Sequence, residues 1–113
     1  MPRNRHHDRF STPAALLDYE IIQEQASALG RLGRALEAAL ASLREFDKAH
    51  QSSNASPAER QARRALVAEA GLALWMFVVQ REACGLRDSG TLMRDYKVPP
   101  DVQKRMGVFP QPG

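Results

Sequence analysis

Ionisable side chains are concentrated in two stretches of the sequence that a helical hairpin would bring together. The combined set is Tyr19, Glu20, Glu24, Gln80, Arg81, Glu82, Arg87 and Asp88. Carboxylates, guanidinium groups and a phenol could bind a small polar ligand or transfer a proton if they enclosed a pocket. The same types of residue near helix ends also form ion pairs that only fix geometry, and we favour that interpretation. We therefore treat this polar junction as a candidate site and assign no catalytic residue.

Metal and thiol chemistry has little support in the sequence. Asp47 and His50 have the spacing of a carboxylate and histidine ligand pair, but a di-iron bundle needs a second such motif and further inward glutamates. Residues 6–8 (His-His-Asp) form only one local cluster. Cys84 is predicted at the end of a helix, where the helix dipole disfavours a thiolate. We predict no metal and no cofactor, and we interpret Cys84 as a small packed side chain.

Arg60, Arg63 and Arg64 form a basic patch early in a predicted helix, and further arginines lie between residues 3 and 9. Such groups can contact phosphates, but neither set includes residues that would read bases. The only pair of short predicted helices is interrupted by Pro99-Pro100, which does not suit a helix-turn-helix. A nucleic-acid-binding regulator that uses the three arginines stays an alternative. We do not expect nucleic acid as a partner, because a solvated helix face is the simpler interpretation.

The composition is that of one ordinary globular domain. The chain has 113 residues, of which 43% are hydrophobic and 26% charged, with a formal net charge of +3. A single cysteine excludes an intrachain disulfide and suits a reducing compartment. The first ten residues are charged but are not followed by the apolar stretch of a secretory signal. We expect a cytoplasmic protein.

Capping signals divide the chain into helices. Thr12-Pro13 predicts the start of a helix over about 13–50, and the pattern Ser56-Pro57-Ala58-Glu59 predicts the start of a second over about 57–84. Gly85 supplies the left-handed residue that commonly ends a helix. Two short helices are expected after it, over about 90–96 and 100–105. The fold class is therefore all-α, with a long antiparallel helical hairpin.

The predicted domain organisation has three parts. Residues 1–11 are expected to be a disordered basic N-terminal arm, residues 12–107 a single helical domain, and residues 108–113 a flexible tail.

The long helices carry more apolar surface than a hairpin can bury. In the first helix one stripe repeats at alternating intervals of four and three, and comprises Ile22, Ala26, Leu29, Gly33, Leu36, Leu40 and Leu43. In the second helix, residues 70–79 contain no charge, yet this run is far shorter than the roughly 20 residues that span a bilayer. We expect no membrane association. A helix that is apolar all round needs more than one neighbour.

A second subunit is the expected additional neighbour. We predict that the carboxy-terminal segment packs against the start of the first helix, around Leu16, Leu17 and Ile22. The middle of the hairpin would then be left for a second copy, which gives a dimeric four-helix bundle. The candidate interface is Leu29, Leu32, Leu36, Leu40, Leu72, Trp75, Met76 and Val79.

Four strings of the sequence resemble a family of small uncharacterised α-helical bacterial proteins, a domain of unknown function. They are DYEIIQE (18–24), ASALGR (26–31), QREACGLRD (80–88) and RMG (105–107). The resemblance covers roughly residues 14 to 107 and implies a bacterial cytoplasmic setting. It carries no enzymatic motif and no functional residue.

The sequence thus favours an interaction or assembly module that acts as a homodimer, with another protein as a further conceivable partner. Enzymatic activity stays open and is not the favoured interpretation. The alternatives are the nucleic-acid-binding regulator described above and a small-ligand binder or enzyme at the polar junction.

Overall fold

A computed structural model describes residues 12–107, which form four helices. They are α1 (Pro13–Ala49), α2 (Pro57–Ala83), α3 (Ser89–Asp95) and α4 (Pro100–Arg105). No strand occurs in this part of the chain. The predicted all-α class and the long hairpin are confirmed. The predictions for the arm 1–11, with its histidines and arginines, and for the tail 108–113 lie outside the described residues.

The helix ends are fixed by the capping groups that the sequence predicts. Thr12 accepts a hydrogen bond from the Ala15 amide at 3.1 Å, and Ser56 accepts one from the Glu59 amide at 3.1 Å. The Glu59 carboxylate accepts in turn from the Ser56 amide at 3.4 Å, which completes a capping box. At the other end of α2, Gly85 has φ +87° and the Leu86 amide bonds to the Arg81 carbonyl at 2.8 Å. This left-handed turn stops α2 and reverses the chain.

The core lies along the seam between α1 and α2. Its α1 side chains are Leu36, Ala39, Leu40 and Leu43, and its α2 side chains are Ala70, Leu74, Phe77 and Val78. Asp47 bonds to Arg63, and a Cβ at Gly33 would lie 3.3 Å from Phe77 Cζ. These two pairs fix an antiparallel register in which α2 ends roughly opposite residue 27 of α1. The first turns of α1 therefore extend past the end of α2.

The carboxy-terminal segment covers the middle of the hairpin. Leu92, Val98 and Val102 are buried in the same core, and the Tyr96 ring packs edge-on against Phe77 with centroids 5.7 Å apart. α4 then runs beside α2, so that Arg105 contacts α2 at Gly71.

The expectation that this segment covers the start of α1 was wrong. Leu16, Leu17 and Ile22 are 44%, 58% and 63% exposed. The reason is the turn at Gly85, which directs the chain back along the hairpin instead of onward beside the first turns of α1.

α4 approaches α2 closely because residue 71 has no side chain. A Cβ at Gly71 would lie 2.9 Å from Arg105 Cγ and 3.2 Å from the Arg105 carbonyl carbon. A Cβ at Gly30, which is also inside a helix, would meet only the mobile end of Arg34, at 3.2 Å.

We predict that these two glycines respond oppositely to alanine. Gly30→Ala should stabilise the protein by up to about 1 kcal/mol, because alanine is the better helix former. Gly71→Ala should destabilise it by about 1 kcal/mol or more, because overpacking outweighs that gain. Urea unfolding followed by circular dichroism measures both changes. Equal stabilisation by both substitutions would contradict the tight contact between α2 and α4.

Candidate functional site

An open groove of about 660 Å³ runs between the first half of α2 and α4. Its charged lining consists of Arg60, Arg63, Arg64, Asp101 and Arg105. Three of these arginines come from successive turns of one face of α2. The fourth is brought beside them by the docking of α4. The groove therefore collects four guanidinium groups against one carboxylate.

Arg63 joins three helices by ion pairs. Its Nε and Nη2 donate to the two carboxylate oxygens of Asp47 on α1, at 2.8 and 3.1 Å. Its Nη1 donates to Asp101 of α4 at 2.8 Å. The hydrogen bonds from Arg63 lower the pKa of Asp47 below its ordinary value of 3.8, and the same contacts raise the pKa of Arg63. All three side chains are close to 40% exposed, so solvent screens this attraction.

The three arginines of the predicted basic patch therefore have different contacts. Arg63 donates to a carboxylate of α1 and to a carboxylate of α4. Arg60 donates to the Ala55 carbonyl at 2.6 Å, and Arg64 donates to the Gln61 side chain at 2.7 Å, both of which are uncharged acceptors. The Arg105 Nε atom is buried and has no hydrogen-bond partner among the described residues. Arg60, Arg64 and Arg105 thus leave the groove with excess positive charge, since no described carboxylate lies within ion-pair distance of them.

The α1 residues of the polar junction predicted from the sequence make their ion pairs and hydrogen bonds within α1 itself. Glu24 pairs with Arg31 of the same helix at 3.6 Å, and the Tyr19 hydroxyl accepts from Gln23 at 3.1 Å. The depression beside Glu20 and Glu24 is lined only by residues of α1. These groups lie on the part of α1 that extends past α2.

The other half of the junction has structural roles at the end of α2. Arg81 lies over the Phe77 ring, 5.7 Å from its centroid, and Gln80 contacts Cys84 Sγ at 3.7 Å. Asp88 caps α3 by accepting from the Thr91 amide at 3.1 Å and from its hydroxyl. The hydrogen bond from that hydroxyl is the main reason why the pKa of Asp88 is lowered. Glu82 and Arg87 are exposed nearby.

The residues considered as metal ligands have other contacts. Asp47 is bound by Arg63, while His50 stacks on Phe46 and lies with Nδ1 2.8 Å from the Phe46 carbonyl oxygen. Within residues 12–107 no group of three His, Cys, Asp or Glu side chains is placed to hold a metal ion. Cys84 is partly buried at the end of α2.

A second feature is the outer face of α2, which we define as Leu72, Trp75, Met76 and Val79. These side chains are 47%, 37%, 48% and 43% exposed, and they recur at the three- and four-residue intervals of one helix stripe. Ala65, Ala68 and Ala83 continue the stripe toward both ends of the helix. All four large residues belong to the interface that the sequence predicts.

The other half of that predicted interface must be corrected. Leu36 and Leu40 are 0% and 2% exposed inside the hairpin core, and Leu29 and Leu32 pack against that core. Their four-and-three spacing marks the seam between α1 and α2 of one chain. The same pattern would mark a contact between chains, so periodicity alone did not separate the two cases.

Sequence reasoning missed Asp101 and Arg105 as members of the groove. Asp101 meets Arg63 across 38 positions of the chain, and no short-range signal predicts such a contact. Gly71 offered an indirect signal, because a glycine inside a strongly helical run often marks a close approach of another segment.

We predict that the ion pair of Arg63 makes stability depend on acid. Because the pKa of Asp47 is lower in the folded state, its contribution is complete well above the ordinary value of 3.8 and is lost as the pH falls through the folded-state pKa. Replacing Arg63 by Gln should reduce stability at pH 7 and should flatten the loss of stability below pH 5. Urea midpoints measured across this range test it. The matched substitution Arg44→Gln, at an exposed position of α1, should leave the pH profile unchanged.

Among the described helices, none is both long enough and apolar enough to cross a membrane. Residues 7–112 match the model of a family described as a family of unknown function, DUF6665. No curated protein and no solved structure matches the chain. The family match includes the whole of the helical region and all four strings in which the sequence resembles uncharacterised helical proteins. The chain belongs to the DUF6665 family.

Proposed function

We propose that the chain is an assembly module that acts as a homodimer through the outer face of α2. The observation that carries the proposal is the stripe of large exposed apolar side chains on a helix that is covered on two other sides. α1 covers the side that bears Leu74, and α4 covers the side that bears Gly71. Burying apolar surface contributes about 25 cal/mol per Å², and contiguous exposed patches of this kind often mark binding surfaces.

Charge placement favours a second copy of the chain as the occupant. Arg64 and Glu82 lie 18 residues apart on α2, which is five turns at 3.6 residues per turn. They therefore lie on the same side of the stripe, one near each end of it. Two α2 helices that pack antiparallel about a twofold axis near residue 73 would place each Arg64 opposite Glu82 of the partner subunit. The same pair of opposite charges would then form twice in one interface, as twofold symmetry requires.

The proposed bundle would contain α1 and α2 from each subunit, with the two α2 helices in the centre. We further infer a bacterial cytoplasmic setting, supported by the single cysteine and by the resemblance to small bacterial proteins. In this proposal the polar junction has only a structural role, because Glu24 and Asp88 have partners within their own elements. A nucleic-acid interface through Arg60, Arg63 and Arg64 is the weaker alternative, because Arg63 is engaged by two carboxylates.

We predict that Leu72→Asp converts a dimer into a monomer. A charge in the centre of an apolar interface must be desolvated without a partner, so the dissociation constant should rise by roughly 100-fold or more. Light scattering on a sizing column, over a range of protein concentrations, measures the mass. Leu17→Asp is the matched control, since Leu17 is even more exposed at 58% but lies on α1.

Two results would overturn this proposal. A wild-type chain that is monomeric at every concentration would remove the dimer. Dissociation by Leu17→Asp but not by Leu72→Asp would move the interface to the first turns of α1. Circular dichroism of both variants shows whether the helices are retained.

We predict a rescue when the rim charges are exchanged. Arg64→Glu and Glu82→Arg should each weaken the dimer by roughly tenfold, because each places like charges opposite one another at two symmetric positions. The double variant R64E/E82R restores opposite charges and should return the dissociation constant to near the wild-type value. Sedimentation equilibrium at low salt gives the constants. A double variant weaker than either single variant would rule out the antiparallel arrangement.

A further inference from the structure

The groove between α2 and α4 has the features of a small anion site. Arg60, Arg64 and Arg105 line it, and none of the three pairs with a described carboxylate. Asp101, the one acidic side chain of the lining, is already bonded to Arg63. Like charges gathered in this way repel one another, and a bound anion relieves that repulsion.

Arg105 is the most informative of these residues. Its Nε atom is buried without a hydrogen-bond partner in the described part of the chain, although a buried donor normally has one. The stem of the side chain packs on Gly71, at distances that exclude even a methyl group there. The stem therefore fixes where the guanidinium group leaves the α4 surface. A buried donor left unpaired costs free energy, which a small shift of the guanidinium group toward an acceptor in the groove would recover.

We propose that the groove binds a small phosphorylated ligand through Arg60 and Arg105. The guanidinium group presents parallel N–H donors that match two oxygens of a phosphate, and two arginines that line one groove suit a ligand with more than one phosphate group. The groove volume of about 660 Å³ falls within the usual range for small-molecule sites.

A small ligand fits the observations better than a nucleic acid. The arginines that lack a carboxylate partner all line one groove, whereas a phosphate backbone would require positive charges along an extended surface. Arg63, the central residue of the patch, donates to two carboxylates and presents no free fork. A duplex would also bring its phosphates close to Asp101.

The site does not depend on the proposed dimer. Ala65 and Ala68 line the groove and also continue the outer face of α2, so a second subunit would lie along one side of it. Arg64 is assigned to the rim of the dimer and is left unchanged in the test.

Titration calorimetry with inorganic pyrophosphate, at constant ionic strength, tests the proposal on the full chain. We expect saturable binding that Arg60→Gln and Arg105→Gln each weaken by at least about tenfold, the loss expected for one charge-assisted pair. Arg105→Lys keeps the charge without the fork and should recover only part of the affinity. Arg44→Gln, on α1 and outside the groove, should bind as the wild type does.

Absence of binding, or an equal loss in Arg44→Gln, would overturn the proposal. Binding of a short DNA duplex that requires Arg60 and Arg105, without binding of pyrophosphate, would overturn it in favour of a nucleic-acid interface. The glutamine at position 105 retains the Cβ and Cγ atoms that pack on Gly71, and circular dichroism reports whether that variant is folded. The mass of each sample, measured in parallel, separates the two proposals, because a monomer that binds pyrophosphate keeps the site and loses the dimer.

Discussion

α2 carries apolar side chains around its whole circumference between Ala70 and Val79, and a single neighbouring helix covers only one side of such a cylinder. The architecture follows from this constraint. α1 takes the side with Leu74 and Phe77, and the segment after α3 takes a second side by way of Gly71. A third side stays in water. The proposed dimer would bury that remaining side, and the placement of Arg64 and Glu82 favours a second copy of the chain as its occupant.

The short helices are held to the hairpin by two different means. Val98 and Val102 are buried in the core, which supplies most of the contact. Arg63 adds direction, because its planar guanidinium group donates to Asp47 along one edge and leaves Nη1 to donate to Asp101. Asp101 lies one residue before Val102, so the ion pair fixes which side of α4 faces α2. The groove exists because α4 is held in this orientation.

The helices could be predicted closely because their ends are encoded by neighbouring residues. Thr12, Ser56 with Glu59, and Gly85 each act within a few positions of the chain, and the structure uses each of them as expected. The apolar seam of α1 could also be predicted from the spacing of its leucines. The path of the chain after Gly85 could not be predicted, because the direction in which the chain turns back depends on the distant surface against which it packs.

The same distinction between local and long-range signals applies to the candidate site. Leu72, Trp75, Met76 and Val79 could be identified because an uncharged run on every side of a helix exceeds what a hairpin buries. The groove could not be identified, because Arg60 and Arg105 are 45 positions apart in the sequence and line the same groove only through the docking of α4. The polar junction was inferred from composition, and composition does not show whether charged groups face each other or their own helix.

The first turns of α1 lack the packing that stabilises the rest of the helix. From Pro13 to about Glu24 the helix lies mostly in water, with Leu17 and Ile22 exposed and α2 already ended. An isolated helix of this length is marginal in water, so these turns depend on Thr12 and on continuation into the packed region. One unbroken helix therefore contains two parts that differ in how they unfold. We expect its beginning to unwind and reform locally, whereas the part beyond Gly33 should open only with the whole core.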